Sequence, residues 1–166
     1  MDMAFYFEKA MLEKYKSVGY NRNMKRKKYI DNSKMSIASK SLINKLSRKF
    51  RRRGGVIIND ESSIVYLDSR NAEAITLDAY TILMREKISI SALIEELEHS
   101  EQYLRNENDG SRLDVVKNEI LAKEKSLRYA DRYKLPKIEI EFVKKDIELY
   151  KKIYRRLTED ESNKNS

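Results

Sequence analysis

The chain has 166 residues, 40% hydrophobic and 37% charged, with a formal net charge of +8. That is enough for one domain with a real core plus an appendage. The absence of cysteine excludes disulfides, thiolate metal ligation and a cysteine nucleophile. No run approaches the roughly 20 apolar residues that span a bilayer. The first nine residues lack the basic start and long apolar stretch of a signal peptide. The expectation is a soluble, cytoplasmic chain with no transmembrane segment.

The charge is uneven. Residues 1–55 hold 16 Lys and Arg against 4 Asp and Glu, a net of +12, whereas residues 56–166 hold 19 against 23, a net of −4. This divides the chain into a basic N-terminal helical arm (1–54), an α+β domain (55–157) and a polar tail (158–166). A basic arm on a mildly acidic body points to an anionic partner for the arm.

In chain order, residues 2–16 have loose helical periodicity. Residues 18–34, polar and rich in Asn, Lys and Arg, read as a linker. Met35, Ala38, Leu42, Leu46 and Phe50 make one apolar stripe over 35–52, stopped by Gly54-Gly55. The texture then changes to β-rich. Residues 56–58 and 64–67, separated by Asn59-Asp60-Glu61-Ser62-Ser63, read as a hairpin. Residues 74–77 and 81–84 are further short strands, with a helix over 72–86 as the competing reading because Ala72, Ile75, Ala79 and Ile82 fit its period, and the expected sheet is small and antiparallel. From Ser89 the pattern is helical, with Ser89 or Ser91 as N-cap, and runs to about Asn106. Ser111-Arg112-Leu113-Asp114 resembles a capping box opening a helix to about Tyr133. Pro136, the single proline, suits the first turn of a last helix running to about Leu157.

The chain's one histidine, His99, carries the chemistry. Glu95 and His99 are four residues apart and project from one helical face. A zinc-hydrolase helix places two ligands at this spacing, with a glutamate after the first as general base. Glu95 and His99 would be ligands and Glu96 the base. The third ligand must be an acid or amide, and Glu119 and Glu124 on the following helix are the natural candidates. Glu101, two residues from His99, faces away. Tyr129, Tyr133 and Arg85 are candidates for binding a scissile carbonyl.

The run Glu95-Glu96-Leu97-Glu98-His99-Ser100-Glu101-Gln102 is followed by Asn118-Glu119-Ile120-Leu121-Ala122 and, on the last helix, by Tyr150-Lys151. Together they resemble the zincin-like metallopeptidase domains of bacterial polymorphic toxins and phage-associated proteins. Those domains run from a β-rich stretch to a Glu-Glu-x-x-His-x-x-Gln helix, an Asn-Glu-Ile-x-Ala helix and a long final helix. A glutamate often fills the first ligand position there. The resemblance implies zinc held by Glu95, His99 and Glu119, Glu96 as catalytic base, a peptide or protein substrate, and delivery into a target cell where the domain serves as toxin cargo.

The arm supports a second reading. Residues 22–53 contain 13 Lys and Arg and one acid, Asp31. Arg22, Lys25, Arg26, Lys27 and Lys28 form one cluster, and Arg48, Lys49, Arg51, Arg52 and Arg53 another. Tyr20, Tyr29 and Phe50 are interleaved, and aromatics stack on bases. The reading is a non-enzymatic protein binding nucleic acid or nucleoprotein through phosphate neutralisation, such as a phage inhibitor of a host defence complex on a zincin-like scaffold. A helical phage-assembly protein is a third.

Overall fold

The computed structural model describes residues 34–108 and 110–164. The fold is α+β, with seven helices among the described residues and one three-stranded sheet. The elements are α1 (Lys40–Leu46), α2 (Arg48–Arg52), β1 (Val56–Ile58), α3 (Glu61–Arg70), β2 (Ala74–Thr76), β3 (Thr81–Met84), α4 (Ile90–Leu104), α5 (Arg112–Arg128), α6 (Ala130–Tyr133) and α7 (Lys137–Lys164).

The sheet order is β1-β3-β2. β1 runs parallel to β3, with Ile57 opposite Ile82, and β2 runs antiparallel to β3, with Thr76 opposite Ile82. The sheet is therefore mixed rather than wholly antiparallel. Side chains alternate between its two faces. Ala74, Ile82 and Met84 enter the main core with Leu93 and Ile94 of α4, while Ile75 and Leu83 meet Leu67 of α3 on the other face.

The expected hairpin of residues 56–58 with 64–67 does not form, because 61–70 is helical. Asp60 caps that helix, its Oδ1 accepting from the Ser63 amide at 2.8 Å and the Ser63 hydroxyl at 2.6 Å. Asn71, at φ +52°, closes it in the left-handed conformation. The four-residue run Ile64-Val65-Tyr66-Leu67 fits either period, and local capping decides for the helix. β1 then finds its partner 25 residues on, at Thr81.

Residues 35–52 also differ from one continuous helix. Ile37 forms an isolated β-bridge with Ser89, α1 starts after the Ser39 cap, and Ser47 separates α1 from α2. Ala38, Ile43 and Phe50 are buried in the main core. The turn into β1 needs both glycines. Gly54 lies at φ +94°, and a Cβ on Gly55 would stand 2.6 Å from the Phe50 ring.

The helical half follows its caps. Ser89 accepts from the Ala92 amide and Ser111 from the Asp114 amide. The helix expected to reach Tyr133 breaks at Tyr129 into α5 and α6. The last helix continues past Leu157 to Lys164. α5 packs against both α4 and α7.

Glu139, fully buried in the first turn of α7, joins three segments. Its Oε2 accepts from the Ser36 amide at 2.8 Å and the Ser36 hydroxyl at 2.6 Å. Its Oε1 accepts from the Ser91 amide at 3.1 Å, an otherwise unsatisfied donor of the first turn of α4. Glu139→Ala strands three donors and is expected to lower unfolding free energy by about 2–4 kcal/mol in urea melts. Glu139→Gln, which keeps one acceptor, should lose less.

Candidate functional site

α4 presents three faces, and the residues singled out in the sequence divide among them. Glu95, His99 and Gln102 turn to α5 and α7, Glu96 turns to the sheet, and Glu101 turns to α2. The last agrees with the expectation that Glu101 faces away from His99.

On the α5 side, His99 Nε2 lies 3.4 Å from Glu119 Oε1, and His99 Nδ1 lies 2.9 Å from Gln102 Oε1. Gln102 is 2% exposed and its orientation is fixed, because its Nε2 donates to the Asn118 carbonyl at 3.0 Å. Asn118 is anchored in turn, its Nδ2 donating to the Glu107 carbonyl at 2.8 Å. The amide oxygen of Gln102 must therefore face the imidazole, so Nδ1 carries a proton and Nε2 is directed at Glu119. The His99 and Glu119 side chains retain 16% and 27% exposure, so solvent reaches the pair.

Glu95, one helical turn before His99, accepts from the Lys123 ammonium at 2.9 Å. Lys123 also lies 3.7 Å from Asp146 of α7 and 5.8 Å from the centroid of the Tyr150 ring. Glu124, the alternative third ligand, pairs instead with Lys151 at 3.2 Å. Glu96 is held by Thr76 of β2. Its Oε2 accepts from the Thr76 amide at 2.6 Å and hydroxyl at 2.7 Å, while that hydroxyl also reaches the Glu96 carbonyl.

The electrostatics are those of an acidic cluster. Burial pushes the Glu95 carboxyl up, and the Lys123 ammonium offsets this only in part. Burial works against the Lys123 ammonium, but Glu95, Glu119 and Tyr150 outweigh it and hold its pKa above that of an ordinary lysine. Burial likewise opposes a charged His99, yet Glu119, Glu96, Gln102 and Glu95 prevail and raise its pKa. All three groups hold protons more tightly than usual, Glu95 because it is buried, and Lys123 and His99 because carboxylates face them. Such a cluster attracts further positive charge.

Among the described residues, no three His, Asp or Glu side chains are already gathered as a metal-ligand group. His99 and Glu119 do meet. Glu95 is on the same face but engaged by Lys123, and Glu96 projects toward Thr76.

Of the arm residues, Arg22, Lys25, Arg26, Lys27 and Lys28 lie outside the described residues. Arg48, Lys49, Arg51 and Arg52 are exposed on α2. Arg53 turns inward: it pairs with Glu101, donates to the Ser100 hydroxyl and the Ala79 carbonyl, and covers the Phe50 ring. Arg85 is bound to the Ala72 carbonyl and Asp68 on the α3 side of the sheet.

Sequence reasoning gave no role to Gln102, Thr76, Lys123 or Asp146. Gln102 and Asn118 stand inside the runs Glu95–Gln102 and Asn118–Ala122. Gln102 is three residues from His99, which was a usable signal. Lys123 is four residues after Glu119, but its pairing with Glu95 crosses between helices and has no local signature.

Two outcomes follow. A His99 pKa raised above the ordinary 6.5 means that the folded state binds this proton more tightly than the unfolded state. Its stabilisation is complete below about pH 6.5 and is lost as pH rises through the folded value. In metal-free protein, His99→Asn should remove this fall from pH-dependent melts, and NMR titration should place the imidazole above a free histidine. Lys123→Met leaves Glu95 without its counter-ion and should cost about 3 kcal/mol in metal-free chemical denaturation.

Comparison with known proteins finds no matching family model, curated sequence or solved structure, so the meaning of this site rests on its geometry.

Proposed function

We propose that the α4–α5 face is the centre of a metal-dependent hydrolase acting on peptide bonds, of the kind carried by phage, mobile-element or toxin systems. The observation that carries this reading is the His99–Glu119 pair. Donors about 2.0–2.1 Å from a tetrahedral zinc stand roughly 3.3 Å from each other. Nε2 of His99 and Oε1 of Glu119 are 3.4 Å apart.

The surroundings fit the same use. A metal-ligating histidine donates its other ring N–H to a fixed acceptor, which sets the tautomer; Gln102 Oε1 is such an acceptor for Nδ1. The surplus of carboxylates favours a divalent cation. Glu95 would supply the third donor if released from Lys123, whose ammonium a second cation nearby would repel.

His99, Glu119 and Glu95 would thus hold zinc, and the ion would supply Lewis acidity and an acidified water. This chain's residues do the rest. Gln102 keeps Nε2 directed at the ion's position. Glu96, on the neighbouring sheet-side face and anchored by Thr76 through Oε2, would act as the base through Oε1, accepting a proton from water and passing it to the leaving amine.

Zinc titration with elemental analysis should find one zinc per chain, lost in His99→Ala. Glu96→Gln should keep the zinc while slowing peptide cleavage by about 10²–10⁴-fold. Lys123→Met should bind zinc roughly tenfold more tightly, through relief of about 1.4 kcal/mol of cation–cation repulsion. Zinc-dialysed parent protein that holds no metal would sink the reading.

A further inference from the structure

The opposite face of α4 carries a second feature, independent of the histidine site. A cleft of about 290 Å³ opens between α1–α2, α4 and α5–α6, at the small end of ligand clefts. Its floor is apolar, with Phe50 and Leu97 among the lining residues, and one wall is the pair Tyr129 and Tyr133. Those rings lie 5.9 Å apart and are tilted by 42°. Lys49, Arg105, Lys125 and Arg132 stand around the cleft. The guanidinium of Arg132 lies 5.6 Å from the Tyr133 ring centroid.

The cations are only partly neutralised. Glu98 serves both Arg105 and Lys125, Glu107 also takes Arg105, and Glu101 takes Lys49 along with Arg53. Lys49 nonetheless keeps 80% side-chain exposure and Arg105 45%, so both reach a ligand in solvent. The positive surface continues beyond the cleft. Residues 40–53 contain no Asp or Glu, and Lys40, Lys45, Arg48, Lys49, Arg51 and Arg52 are all exposed.

We propose that this cleft and the adjoining α1–α2 face form a groove for single-stranded nucleic acid, with a base against Tyr129 and Tyr133 and the phosphates along Lys45, Arg48, Lys49 and Arg52. Charge complementarity extending over two helices fits a polyanion better than a compact anion. An aromatic wall beside it offers a stacking face, which a base uses when it is not locked in a duplex. The contacts proposed are to phosphates and to the ring face of a base, so the binding is largely independent of sequence.

The test is fluorescence anisotropy of the full chain with labelled oligothymidylate and oligouridylate of about 12 nucleotides. Contact with roughly four phosphates should weaken binding about 50-fold between ~50 and ~200 mM salt. Tyr133→Leu should weaken binding about tenfold with an unchanged salt slope. The exposed-site variant Arg132→Gln should also weaken it, which keeps the test sound if the tyrosine variant misfolds. The triple variant Lys45→Gln, Arg48→Gln, Arg52→Gln should flatten the salt slope. His99→Ala should bind like the parent, separating this groove from the metal reading. Parent-like binding by Arg132→Gln and the triple variant would overturn the proposal and move the contact to residues 22–28. Equal competition by poly-glutamate would also overturn it, in favour of an acidic peptide partner.

Discussion

The position of α4 depends on two carboxylates at its N-terminus, Glu139, which is fully buried, and Glu73, which is partly buried. Glu139 takes the Ser91 amide and both donors of Ser36. Glu73 takes the Ser89 amide and hydroxyl, while that hydroxyl caps the helix by accepting from Ala92. A helix start buried in a core has amides that water cannot reach, and each needs an acceptor. Supplying them from α7 and from the segment before β2 fixes the axis and rotation of α4 together. The three faces of α4 then meet the sheet, the α5–α7 pair and α2. A change in rotation of one residue, about 100°, would move His99 off Glu119 and Glu96 off Thr76.

Local signals were legible where a single residue type has a specific backbone job. Ser89, Ser111 and Pro136 marked helix starts, and residues 74–77 and 81–84 read as strands on side-chain type, the first ending one residue earlier, at Thr76. Short apolar runs that fit both periods were read as strands, rightly at 74–76 and 81–84 but wrongly at Ile64–Leu67, which is helical because Asp60 caps it. Partner choice in the sheet was not legible either. β1 skips its neighbour in sequence to lie parallel to β3, an arrangement set by packing on α3 and α4 rather than by any turn.

The same division holds for the candidate site. Glu95, Glu96, His99 and Glu119 were selected by spacing, and spacing correctly put His99 against the early part of α5. It did not separate the partners of adjacent glutamates. Glu95 and Glu96 point to different layers, one to a buried ammonium and one to a strand. Nor did it anticipate that Arg53, nominally part of a basic cluster, is an internal tie between α2, the β2–β3 connection and α4. Charge counts describe a segment's field, whereas a guanidinium beside a carboxylate, a hydroxyl and a carbonyl is a structural group.

The bonds between Ser36 and Glu139 span 103 residues. Loop closure over such a distance is slow relative to forming any one helix here. During synthesis, α1 through α6 emerge before the Glu139 carboxylate, which reinforces the backbone pairing of residues 36–38 with residues 88–90. Until α7 begins, the α4 N-terminus and the apolar faces of α1 and α2 lack that tie. The chain is therefore expected to complete this tie only once the start of α7 has been made, and until then its nascent form is the one most exposed to chaperones and proteases.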